Sequence, residues 1–142
     1  MSANLIQPNS FLRRVLLTDA FVSAAVGVVM AVGARALSGL LGLPASLLTS
    51  AGVALFPCAA YLAWLATRQA VPRAAVWVSI VLNVVWALDC VLVLFAAGLA
   101  PTWLGEAFIV IQIVTVLAFA ELEFIGLRRA LSLSRASSTH LA

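Results

Sequence analysis

Six side chains could do chemistry in an otherwise apolar chain: Asp19, Asn83, Asp89, Gln112, Glu121 and Glu123. Ionisable groups deep in a bilayer are rare and costly, so each is a functional hypothesis until something else accounts for it. Two carboxyls brought together at partial burial can carry a proton or hold a cation. Asp19 with Glu121 or Glu123 would form such a pair between the first and last apolar segments. The plainer reading of Asp19 is a carboxylate that snorkels to the headgroups or pairs with Arg14 or Arg128. Asp89 has Arg35 as its only cation on the same side, and either pairs with it or reaches the outer interface.

Other chemistries lack their residues. The one His, His140, lies in the C-terminal tail, which excludes bis-histidine haem, a His-based zinc site and a Ser-His pair inside the apolar segments. Cys58 and Cys90 form no C-x-x-C motif, lie at different depths, and read as packing residues. There is no Lys for a Schiff base and no glycine-rich phosphate loop. The expectation is no catalytic residue, no metal and no cofactor, with a bound lipid or other apolar ligand as the remaining option. Its pocket would be built from Pro57, Tyr61, Asn83, Trp86 and Gln112 near mid-membrane.

These residues need elements to position them, and composition says which kind. Of 142 residues, 65% are hydrophobic and 9% charged, against roughly 45–50% and about 25% in soluble domains. Thirteen charged side chains (8 basic, 5 acidic) cannot clothe a soluble globule of this size. A soluble enzyme, a disordered chain and a nucleic-acid binder are excluded. The net charge of +3 comes from arginines at segment ends, without a basic stripe.

A helix needs about 20 apolar residues to cross about 30 Å of hydrocarbon. Four stretches qualify, at about 15–33, 47–67, 74–97 and 104–127, with a polar tail over 132–142. The breaks carry turn residues: Ser38-Gly39, Gly42-Leu43-Pro44, Pro72, Gly98 and Pro101. Short connections predict one domain over 1–142, an all-α, antiparallel four-helix transmembrane bundle running up-down-up-down. Arg13, Arg14, Arg68, Arg73, Arg128, Arg129 and Arg135 then share one side, with only Arg35 on the other. That bias predicts cytoplasmic N and C termini in a bacterial inner or plasma membrane. Asp19 inside the first stretch argues against its being a cleaved signal. Trp64, Trp77 and Trp103 fit interfacial belts. The halves share a layout, Arg14–Pro44–Arg68 and Arg73–Pro101–Arg128, but little residue identity.

Helical angles sort the polar groups into faces. Ser79, Asn83, Trp86 and Cys90 share one face of the third segment; Gln112, Thr115, Phe119 and Glu123 share one of the fourth. Glu121 lies nearly opposite Glu123, so only one of them can enter a bundle core. Counted from Arg14, Asp19 is about 7 Å deep; counted from Arg73, Asn83 is near the middle. Small residues every fourth position, Ser23-Gly27-Ala31 and Ala59-Ala63-Thr67, form ridges for close helix packing. Pro57 is expected to kink the second segment.

Three functions compete, the first as the leading reading and the other two as alternatives. The first is a structural or accessory component, without catalytic activity, that self-associates or joins a larger membrane complex. The second is a small oligomeric transporter or channel using the intramembrane carboxylates. The third is a lipid-, quinone- or pigment-binding bundle.

Overall fold

Asn9 sets where the first helix begins. Its Oδ1 accepts the Leu12 N–H at 2.7 Å, an N-cap that starts α1 at Ser10 and carries it to Val32. This computed structural model describes residues 4–96 and 98–139. After α1 come α2 (Ala34–Leu41), α3 (Ala45–Thr67), α4 (Arg73–Phe95) and α5 (Trp103–Thr139). Two-residue strands, β1 (Leu5–Ile6) and β2 (Val71–Pro72), precede α1 and α4 and pair antiparallel, Leu5 opposite Pro72 and Ile6 opposite Val71. The architecture is all-helical apart from this ribbon. Four helices, α1, α3, α4 and α5, are long and apolar enough to cross a membrane.

The bounds depart from expectation for identifiable reasons. α1 starts five residues before position 15 because the cap lies at Asn9. The Ser38-Gly39 segment, read as a turn, is helical in α2. α2 stops at Gly42, whose φ of 67° is the left-handed conformation that ends helices and suits glycine. α4 ends at Phe95; Ala97, the end expected for that span, lies outside the described residues. The polar tail at 132–142 is corrected most: α5 continues through it to Thr139. Leu127 and Ala130 keep the helical period going and are buried in the core beside Ile6, which gives the extension a face to pack. His140 lies outside the described residues. Pro57 sits inside α3 without ending it.

The helices associate as two close pairs, α1 with α3 and α4 with α5. The first pair is set by two glycines. A Cβ on Gly27 would lie 2.9 Å from the Gly52 carbonyl oxygen, and one on Gly52 would lie 2.7 Å from the Ala31 nitrogen. α1 also meets α5, where Gly126 lies against Leu12. By contrast, α3 and α4 barely touch. At the end bearing the termini, Arg13 donates to the Arg68 carbonyl at 2.9 Å and Asn9 to that of Gly126 at 3.4 Å. At the other end, Thr102 ties α5 to α2: its hydroxyl donates to Leu40 O at 2.6 Å and its N–H to Leu41 O at 2.9 Å.

Most of each long helix faces outward. No more than 33% of any apolar window is buried within the protein. Phe21, Val32 and Phe95 are over 70% exposed. Helices apolar all round, with this little internal burial, suit an apolar surrounding rather than water.

Candidate functional site

The buried stripe of α1 runs Leu12, Val15, Leu16, Asp19, Ala20, Gly27, Met30, and that of α4 runs Val76, Ser79, Ile80, Asn83, Ala87, Cys90. Asp19, Ser79 and Asn83 thus occupy core positions of the helical period. Glu123 does the same on α5 and is 0% exposed; Asp19 is 1% exposed.

These side chains form one cluster. Asn83 Nδ2 donates to Asp19 Oδ2 at 2.7 Å, and Ser23 Oγ to Asp19 Oδ1 at 3.1 Å. Ser79 Oγ lies 2.8 Å from Glu123 Oε2 and 2.7 Å from the Val76 carbonyl oxygen, so its single proton serves one of two acceptors. The Asp19 and Glu123 carboxyls come within hydrogen-bonding reach of each other. Backbone geometry explains the convergence. Side chains lean toward the N-terminus of their own helix. Leu12 lies level with Gly126, so Asp19 leans back toward the termini while Glu123 leans away from them.

Glu123 Oε1 stands out. Among the described residues it is the buried side-chain polar atom with no hydrogen-bond partner. Among the described residues the polar partners of Asp19 and Glu123 are uncharged side chains, apart from each other. Two carboxyls therefore lie side by side in the core with three side-chain donors, from Asn83, Ser23 and Ser79, and no cation.

The reading of Asp19 as snorkelling or arginine-paired is therefore corrected. Asp19 is buried, its oxygens accept from Asn83 and Ser23, and it lies nine residues, about 13 Å, along α1 from Ser10. Glu123 enters the core, while Glu121 is exposed on the opposite face of α5. Asp89 is also exposed and makes no ion pair with Arg35, so that pairing is corrected too. Gln112 accepts from Trp86 Nε1 at 3.1 Å.

The expected pocket is divided. Asn83, Trp86 and Gln112 line cavities between the helices, together with Phe108 and Ser23. Pro57 is exposed and lines none of these cavities. Tyr61 lies nearer the termini, donating to Ala75 O at 2.8 Å and stacking on Trp64. Of the packing residues, Gly27 is buried against α3, and Ala31 meets Gly52. Ala59 is buried and Ala63 half-buried. Ser23 serves the carboxyl cluster instead. Sequence reasoning placed Ser79 on the right face without giving it a role, and missed Gly52 and Phe108. A serine four residues before a mid-span Asn was the available signal for Ser79.

A scan against protein-family models matches none, and searches of curated proteins and of solved structures find no match.

Proposed function

We propose that this chain is a small membrane-embedded transporter whose working group is a proton held between Asp19 and Glu123. The four long helices run up-down-up-down across the bilayer, with both termini on the cytoplasmic side of an inner or plasma membrane. The observation that carries the reading is the partnerless Glu123 Oε1 beside a second buried carboxyl. Every other carboxyl oxygen of the pair has a side-chain donor in reach. One donor is missing, and one proton supplies it. A metal ion fits less well, since Asn83 and the serines turn their hydrogens, not their lone pairs, toward the carboxyls. Among the described residues no cluster of three His, Cys, Asp or Glu side chains occurs.

Infrared spectroscopy of the reconstituted protein tests the site. The expected result is a protonated-carboxyl stretch that disappears in alkaline buffer and is lost in both Asp19→Asn and Glu123→Gln. A wild type with no such band in any buffer overturns the proposal. Proton flux in proteoliposomes that survives in the Asp19→Asn/Glu123→Gln double variant excludes the pair as the transport site.

An accessory role by self-association has one observation in its favour. Glu121 is exposed two residues from the buried Glu123, on the α5 face turned away from the core, where a second copy would offer it a partner.

A further inference from the structure

Two cavities lie one after the other, the larger in the half of the bundle away from the termini and the smaller around its middle. The larger, about 450 Å³, is walled by α1, α3, α4 and α5, and its lining includes Met30, Leu48, Trp86, Asp89, Phe108 and Gln112. The smaller, about 220 Å³, shares Trp86, Phe108 and Gln112 with it and reaches Asp19. The Trp86–Gln112 hydrogen bond, 3.1 Å long, joins two walls that both cavities share. The proton site uses only the inner cavity. The larger one has no role in it.

Three features of the larger cavity point the same way. Its volume suits a small organic molecule, and its walls are mainly apolar with two aromatic rings. Asp89 lies on the exposed side of its wall, with no arginine paired to it among the described residues. Asp89 lies six residues before the end of α4 at Phe95, about 9 Å inside the helix end. A carboxylate at that depth among apolar groups is costly unless a cation comes to it. Finally, α3 and α4 barely touch, so the cavity opens sideways between them, while the Thr102 bonds to Leu40 and Leu41 tie α2 to α5 at the bundle end. The open route is lateral and apolar.

We propose that this cavity binds a lipophilic cation, its charge against Asp89 and its apolar body against Trp86 and Phe108. Aromatic faces attract a cation as well as covering its hydrocarbon. A lipid acyl chain would need no carboxylate, and an anion would be repelled by it. Entry is from the hydrocarbon between α3 and α4. The site is distinct from the Asp19–Glu123 pair, so either proposal can fail alone.

The test uses the full chain in mild detergent, with tetraphenylphosphonium as the cation and triphenylphosphine oxide as a neutral probe of similar body. Binding is read by calorimetry and by quenching of Trp86 in a variant whose other tryptophans are Phe. Saturable binding of the cation is expected, with the neutral probe roughly tenfold weaker or worse. Asp89→Asn should bring the cation down to the neutral probe's level and leave the neutral probe unchanged. Ala54→Phe, on the exposed mouth of the cavity, should weaken both. Glu123→Gln should leave cation binding intact while removing the infrared band, which separates this site from the proton site. Helicity and elution volume identify any variant that fails to fold, and Asp89→Glu, which keeps the charge, should then retain binding. Equal binding of the two probes, no effect of Asp89→Asn, or no saturable binding overturns the proposal.

Discussion

At the residue scale, the buried cluster is an unfinished hydrogen-bond network. Removing a donor from a buried carboxyl leaves an unsatisfied acceptor, at about 1–3 kcal/mol. Asn83→Leu removes the 2.7 Å donor to Asp19 Oδ2 while keeping a side chain of similar size. It should lower stability by that amount in thermal or denaturant unfolding in detergent. Glu123→Gln does the opposite: it adds N–H donors where Oε1 has no partner. Its stability should stay within about 1 kcal/mol of wild type or rise, although the proton is lost. A large loss on Glu123→Gln together with none on Asn83→Leu would contradict the network. The sequence made part of this cluster legible. Helical angles show that Glu121 and Glu123 face opposite ways, so only one enters the core. They cannot say which, because that depends on where α1 packs. Distance counted from Arg14 could not show that Asp19 turns inward, because that depends on which face of α1 meets α4 and α5.

At the element scale, the α1–α3 crossing rests on backbone proximity at Gly27 and Gly52. Gly27→Leu would push a side chain into the Gly52 carbonyl, where even a Cβ would lie at 2.9 Å. Overpacking of this kind costs about 1–3 kcal/mol, and the helices must separate to relieve it. Gly39, in α2, has no atom within 4 Å of an added Cβ and has helical backbone. Gly39→Ala should therefore leave stability unchanged or raise it by up to about 1 kcal/mol. Unfolding midpoints of the two variants check the contrast; equal effects would mean that the Gly27–Gly52 contact does not set the crossing. The small-residue ridge through Gly27 was visible as a period of four. Its partner Gly52 was overlooked because it belongs to a repeat of seven, Ala45-Gly52-Ala59-Ala66, rather than of four. The ridge is used within the chain, so Gly27 is buried and unavailable to a second subunit. The α2 helix was hidden for a related reason: Ser38-Gly39 has the composition of a turn, and what holds it helical is packing of Leu41 and contact with Thr102, both tertiary.

At the scale of the whole molecule, outward apolar faces and end-placed arginines support the proposed arrangement in a bilayer. Seven arginines lie at the end that bears the termini and one, Arg35, at the other. Arg68 and Arg128 lie over the rings of Trp64 and Phe124, at 5.0 and 5.8 Å, and Arg129 over Phe11 at 4.8 Å. Guanidinium groups stacked on aromatic rings at one rim suit the headgroup level, where an amphipathic ring and a charge are both accommodated. The α5 extension past Gly126 would then stand clear of the bilayer on the cytoplasmic side, its exposed residues Ser132 and Ala136 in water. Ser46, exposed at the start of α3, would face the other compartment. Single cysteines at these sites, with Cys58 and Cys90 replaced by Ala, test the arrangement against a membrane-impermeant maleimide. Ser46→Cys should label in intact cells, while Ala136→Cys should label only after lysis. The reverse pattern would invert the orientation and put the cavity beside Asp89 on the cytoplasmic half. Labelling of both sites in intact cells would mean that the chain crosses the membrane an even number of times between them, not the three that α3, α4 and α5 supply.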